Sequence, residues 1–150
     1  MKKLILTLSA FLLINLSFSQ TMEKYKYGFS GFKGGYKPEW YCTKLGDGKR
    51  LMAYNQTIPE LYAIALVHRP VPIDLSRIED ISLRNKLKIL YCYELQVPAE
   101  LNDDLFSIMD QNLKDQFPWF TASIKKFEDK EYLVIEDKTK IIKDRSYIQY

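Results

Sequence analysis

Nucleophilic and metal-binding chemistry in this chain rests on very few residues. There are two cysteines, Cys42 and Cys92, and one histidine, His68. That inventory excludes a four-cysteine zinc site and any centre built on two imidazoles. The sequence holds no Gly-x-Ser-x-Gly elbow and no His-Glu-x-x-His, so the two commonest hydrolase signatures are missing as well. His68 precedes Arg69-Pro70 and reads as a surface or helix-capping residue. Nineteen Asp and Glu are present, and glycoside hydrolysis needs only two, but no motif places a pair. Asp103 and Asp104 are adjacent, so on a helix they diverge by ~100° and do not converge on one atom. Gly46-Asp47-Gly48-Lys49 lacks the spacing of a phosphate loop. Asn55-Gln56-Thr57 matches a glycosylation acceptor but reads as the start of a helix. No catalytic residue, no metal site and no cofactor are expected.

Cys42 and Cys92 are separated by 49 residues. In an exported chain an even pair of this kind usually oxidises, and the leading expectation is a structural Cys42–Cys92 disulfide. Closing a loop of that size is worth ~4 kcal/mol on chain-entropy arithmetic. Two unpaired thiols are one alternative. A redox site is the other, although thiol-redox centres use Cys-x-x-Cys, which neither cysteine has.

Export itself is read from the first 19 residues. Met1-Lys2-Lys3 is basic, Leu4 to Leu16 is an apolar run, and Ser17-Phe18-Ser19 sets small residues at −3 and −1 of a cleavage point. Those parts in that order make a signal peptide. The run falls short of the ~20 residues that span a bilayer, no Cys follows it for lipidation, and no second stretch of membrane length exists. A secreted or periplasmic chain without stable membrane insertion is expected. Cleavage after Ser19 removes two lysines and takes the formal charge from +3 to +1, too near neutral to favour nucleic acid. The balance is uneven: residues 20–55 carry seven Lys/Arg against three Asp/Glu, and residues 56–150 carry 13 against 16. Two solvated faces explain this, with a weak basic docking patch as the sharper reading.

The densest unusual segment is Tyr25–Tyr41. Seven aromatics alternate there with Gly28, Gly31, Gly34 and Gly35. Glycine at that density disfavours both helix and strand, so an irregular or edge segment is expected. Either these rings cover the core, or exposed rings stack on a sugar, a base or a partner's apolar patch. On the second reading the candidate ligand-binding residues are Phe32, Lys33, Tyr36, Lys37, Trp40 and Tyr41.

The elements that must position these residues follow in order. Trp40–Tyr54 reads as a hairpin turning at Gly46-Asp47-Gly48. Thr57-Ile58-Pro59-Glu60 is a capping box that opens a helix, with Leu61, Ile64, Ala65 and Val67 as its buried stripe and Pro70 as its stop. Lys86–Val97 alternates with period two and predicts one long strand. Leu87, Ile89, Tyr91, Tyr93, Leu95 and Val97 fall on one face, and Lys88, Leu90, Cys92, Glu94 and Gln96 on the other. Asn102 is expected to cap a second helix carrying Leu105, Ile108, Met109, Leu113 and Phe117. Trp119–Phe127 and Glu131–Ile135 predict two strands about Glu128-Asp129-Lys130. The expected fold is α+β, a mostly antiparallel sheet with two helices packed on one face. One domain is expected: signal at 1–19, aromatic basic segment and hairpin at 20–55, α+β core at 56–137, and a tail or edge strand at 138–150.

Asn55-Gln-Thr57-Ile-Pro-Glu-Leu61-Tyr-Ala-Ile-Ala65 resembles the Asn-x-Thr-Leu-x-x-Leu-Ile-x-x-Ala-Tyr helix of a family of domains of unknown function. The family takes its name from soil-associated bacterial secreted proteins, and it also occurs appended to thioredoxin-like exported proteins. Tyr91–Pro98, Leu105–Phe117 and Tyr132–Ile135 are similar to its later strand, helix and closing strand. The family's Gly-x-Pro-x-Trp segment is replaced here by Arg69-Pro-Val-Pro72-Ile-Asp, and its Arg before the helix-ending Phe is Gln116. The resemblance spans roughly residues 50–137. It implies an exported α+β domain and brings no catalytic residue. A non-enzymatic binding or interaction domain is the functional expectation, its partner an unidentified protein or cell-envelope ligand. A thiol-redox accessory to a thioredoxin-like partner and a structural protein of the cell envelope are the alternatives.

Overall fold

The computed structural model describes residues 25–139. The expected signal peptide and most of the expected tail therefore lie outside the described residues. Among the described residues, two sheets and three helices form an α+β fold. β1 (Lys26–Gly31), β2 (Glu39–Leu45), β3 (Gly48–Gln56) and β5 (Tyr91–Val97) make an antiparallel sheet in the order β1-β5-β3-β2. β4 (Ile73–Asp74), β6 (Phe120–Phe127) and β7 (Lys130–Asp137) make a second sheet in the order β4-β7-β6, with β4 parallel to β7. The helices are α1 (Ile58–Val67), α2 (Ile81–Leu87) and α3 (Leu105–Gln116), with a 3-10 turn at Ala99–Leu101.

The hairpin forms where its glycines place it. Leu45 pairs with Gly48 across the two-residue turn Gly46-Asp47, and Gly46 takes a positive φ of 60°. Glycine alone adopts that conformation freely at the first central position of such a turn. Glu128 turns the β6–β7 hairpin, at φ 51°. The capping box is also present. Glu60 N donates to Thr57 Oγ1, and Thr57 N donates to Glu60 Oε2 at 2.7 Å.

α1 departs from the simple stripe. Leu61, Ile64 and Ala65 are buried, but so are Ile58, Pro59, Tyr62 and Ala63, while Val67 is half-buried. The reason is position. α1 touches β3 of the larger sheet, β6 and β7 of the smaller one, and α3 beside it. A helix packed on several sides has no polar face to keep. The expected single sheet with two helices on one face is thus divided here into two sheets, and a third helix is added. The core joins Leu51, Ala53, Tyr93 and Leu95 of one sheet, Leu61, Tyr62, Met109 and Leu113 of the helices, and Leu133 and Ile135 of the other.

Three local expectations need correction. Lys86–Val97 is a strand only from Tyr91. Asp80 accepts from the backbone N–H groups of Ser82 and Leu83 and starts α2, so a local cap overrides the alternating pattern and Leu87 enters the core from a helix. Asn102 does not cap α3. Asp104 occupies that position without a side-chain cap bond, and the Asn102 amide donates to Asp47 O instead. Glycine does not disrupt Lys26–Gly31, which pairs residue for residue with β5; a neighbouring strand supplies the order that intrinsic propensity lacks.

Gly48 and Gly28 make a controlled pair for mutation. A Cβ on Gly48 would sit 2.1 Å from Val97 O, whereas one on Gly28 meets nothing within 4 Å. Gly48→Ala is expected to lower stability by on the order of 2 kcal/mol, as overpacking does, and Gly28→Ala to change it by a few tenths. Urea unfolding of both variants measures this, and equal effects would refute the packing argument.

Candidate functional site

Among the described residues, the larger sheet has one face on the helices and one face left open except under the β1–β2 loop. Strand parity decides which residues go where. Tyr93, Leu95, Leu51, Ala53 and Trp40 face the helices. The open face carries Ser30, Cys92, Glu94, Gln96, Arg50, Met52, Tyr54 and Tyr41. Gly28 stands opposite Glu94, which in turn stands opposite Met52. Because Gly28 adds no side chain to that row, a shallow cavity of about 220 Å³ opens over it, lined by Ser30, Lys33, Met52, Tyr54, Cys92 and Glu94 among others.

The loop between β1 and β2 is folded against this face by one residue. Asn55 is buried at 1% exposure and sits at a bulge in β3 with φ 49°. Its Oδ1 accepts from Lys33 N at 2.8 Å and from the Cys92 thiol at 3.5 Å. Its Nδ2 donates to Lys33 O at 2.9 Å and Tyr36 O at 2.8 Å. Both donors and both acceptor positions of the amide are used. An acceptor for glycan would have to be accessible, so Asn55 acts as a structural amide. The latched loop lays Tyr36 on Tyr54, with ring centroids 4.4 Å apart and planes within 16°. Tyr41 tilts against the same ring at 6.0 Å, and the Lys33 ammonium lies 5.9 Å from its centroid.

Beside the rings is a polar row. Arg50 Nε donates to Glu94 Oε1 at 2.9 Å, and Gln96 Nε2 donates to the same oxygen at 2.6 Å. The Arg50 bond first, then the Gln96 bond, hold the Glu94 carboxyl below the usual range. With the folded value depressed, the pair's contribution is present above the ordinary Glu range of ~4.3 and fades as pH falls through the lowered value. Both partners are over a third exposed, so that contribution is small. The Tyr41 phenol is shifted up, first by its hydrogen bond with Tyr54.

Of the six residues singled out from sequence, Lys33, Tyr36 and Tyr41 meet around Tyr54. Phe32 is 64% exposed at the loop's start, and Lys37 is exposed in the same loop. Trp40 does not join them. It turns to the helix side and packs edge-on against Phe106 at 6.2 Å. Adjacent residues of a strand point to opposite faces, so Trp40 and Tyr41 could not both line one site. Tyr54, Arg50, Met52 and Asn55 were missed. The alternation of Lys86–Val97 places Glu94 and Gln96 on the same face as Cys92, and that is the usable signal.

The Cys42–Cys92 disulfide is corrected. Both thiols are free, Cys42 exposed and Cys92 buried. β3 lies between their strands, which sets the backbones about 10 Å apart sideways. Cys42 is level with Leu51 and Leu95 on the helix side, whereas Cys92 is three residues along on the open face. A bridge needs Cα atoms within about 7 Å. The redox reading loses its pair for the same reason. His68 ends α1 in the left-handed conformation, at φ 61°, with its ring 3.7 Å from that of Phe106.

Among the described residues no group of His, Cys, Asp and Glu could hold a metal ion, and no helix is long and apolar enough to cross a membrane. Comparison with protein-family models, curated proteins and solved structures finds no match for the chain.

Two measurements follow. Asn55→Asp keeps the shape but replaces two donors with an acceptor facing two carbonyls. It is expected to cost about 3 kcal/mol in urea unfolding and to release Tyr36 from Tyr54 in aromatic nuclear Overhauser contacts. An unchanged midpoint would mean the loop is not held by Asn55. At neutral pH without reductant, Cys42 is expected to alkylate in the folded protein and Cys92 only after unfolding. A need for reductant at Cys42 would restore the bridge.

Proposed function

We propose that this chain is an exported, non-enzymatic binding domain whose binding surface is the open face of the β1-β5-β3-β2 sheet. One observation carries the reading. Tyr36, Tyr41 and Tyr54 gather beside Arg50, Glu94 and Gln96 on the sheet face turned away from the helices, where the β1–β2 loop is the only segment laid against it among the described residues. Rings supply rigid contact area at little entropic cost, and planar polar side chains supply directional hydrogen bonds. A fold with no use for this face would tend to cover it or leave it plainly charged. Here a buried amide is spent on holding an aromatic loop against it.

The proposed export rests on the basic, apolar, small-residue order of residues 1–19. The likeness to the soil-associated secreted family belongs to the same proposal. It rests on Asn55, Thr57, Leu61 and Ala65, which serve here as loop anchor, cap and core, so it speaks to fold rather than to ligand. The proposed partner is a protein or ligand of the cell envelope.

Photo-crosslinking in the producing cell tests the surface. A benzoylphenylalanine in place of Tyr36 is expected to give a heterologous adduct, and one in place of Lys126 on β6 is not. Arg50→Ala or Glu94→Ala should cut the adduct yield on the order of fivefold, a loss of ~1 kcal/mol. Adducts of equal yield from positions 36 and 126, or from neither, would remove the reading. Trp40→Ala is expected to lower stability and leave the adduct pattern intact.

A further inference from the structure

Gly28 stands in the middle of β1, where glycine weakens a strand. The usual reasons for a glycine there are a positive φ, a bulge, a close backbone or a ligand. Gly28 has no positive φ, and β1 pairs with β5 residue for residue without a bulge. A Cβ at Gly28 would meet nothing within 4 Å, so among the described residues no backbone presses on it. The reason left is a ligand above the strand.

The trough that Gly28 opens has the chemistry to take one. It lies on the face of the sheet and not along an edge, so an extended peptide has no free ladder there to join. Glu94 spends Oε1 on Arg50 and Gln96, and its Oε2 has no donor among the described residues. Ser30 adds a hydroxyl and Lys33 an ammonium at the rim. One acceptor, one donor and one group that is both match neighbouring hydroxyls, each of which donates and accepts. Lys33 and Glu94 bring one charge of each sign, so the rim favours a neutral ligand, and the carboxylate turns phosphate away. At about 220 Å³ the trough is below the ~300–1,000 Å³ of pockets that enclose whole ligands. It has room for one ring. A longer ligand continues over Tyr36, which is 51% exposed and lays one face on Tyr54, leaving the other face free.

We propose that the open face binds a neutral glycan, with one sugar ring in the trough over Gly28 and the next lying on Tyr36. This ligand class rests on that face being the binding surface. A sugar ring turns hydroxyls outward at its rim and C–H groups at its faces. The hydroxyls meet Glu94 Oε2, Ser30 Oγ and Lys33 Nζ, and the two charges strengthen those bonds. The C–H groups meet the negative face of the tyrosine ring.

The crosslinking that tests the surface also identifies its ligand, because a benzophenone inserts into the C–H bonds of sugar and peptide alike. The adduct formed through position 36 in the producing cell is purified, digested with protease and read by tandem mass spectrometry. Hexose or hexosamine masses on the labelled peptide are expected. Gly28→Val fills the trough with a side chain that strands favour. It should cut the sugar adduct about tenfold while the urea midpoint holds or rises. Ser30→Ala, which removes one hydroxyl, should cut it about threefold. A peptide adduct in place of sugar would overturn the glycan and leave the surface standing, whereas no adduct at all removes both. A full sugar adduct from Gly28→Val would overturn the proposal as well. If Gly28→Val lowers the midpoint, Ser30→Ala decides, and an unchanged yield from that variant sinks the glycan.

Discussion

A single buried amide, that of Asn55, fixes the β1–β2 loop against the larger sheet. Asn55 takes the left-handed conformation that a bulge in β3 requires, and Asn tolerates it better than most residues. The same bulge turns its side chain toward the β1–β2 loop and the Cys92 thiol. Three hydrogen bonds then fix a loop rich in glycine, which has no strong conformational preference of its own, and a fourth ties the amide to the Cys92 thiol of β5. Buried amides are costly when half satisfied and specifying when fully satisfied. This one is fully satisfied. It also lies two residues before the cap of α1, so one short stretch ends a strand, latches a loop and starts a helix.

The second organising feature is the placement of α1 between two sheets. Its burial on several sides explains why its residues are so uniformly apolar. The small sheet has a corresponding role. β6 and β7 close the helix layer from the far side and bring Leu133 and Ile135 into the same core as Leu51 and Leu95. With its helix side filled, the larger sheet turns its other face away from the core. Its core aromatics and its surface aromatics are therefore sorted by parity. Phe29, Tyr93 and Trp40 serve packing, while Tyr41 and Tyr54 serve the surface.

Much of the local structure was legible in the residues because it depends on short-range chemistry. The Gly46-Asp47 turn, the Thr57–Glu60 box, the end of α1 before Pro70 and the β6–β7 hairpin all have causes within a few residues. The long strand expected over Lys86–Val97 shows the limit of that approach. Lys86 to Leu90 alternate well enough, but the Asp80 cap six residues upstream commits the chain to a helix first. Asn102 and Asp104 show the same competition, since the tertiary contact between the Asn102 amide and Asp47 outweighs a capping bond.

By itself the sequence determined the α+β class, most element positions, the aromatic density of the first segment and the scarcity of catalytic groups. These follow from composition, periodicity and near-neighbour hydrogen bonding. Only the tertiary structure decided that β1 and β2 flank the sheet on opposite sides, and that β3 stands between the two cysteines. It also decided that Trp40 turns inward while Tyr36, from a loop, reaches the open face. Strand order and loop docking depend on contacts between residues far apart in the chain. Spacing along a sequence carries no record of which strand will lie between two others.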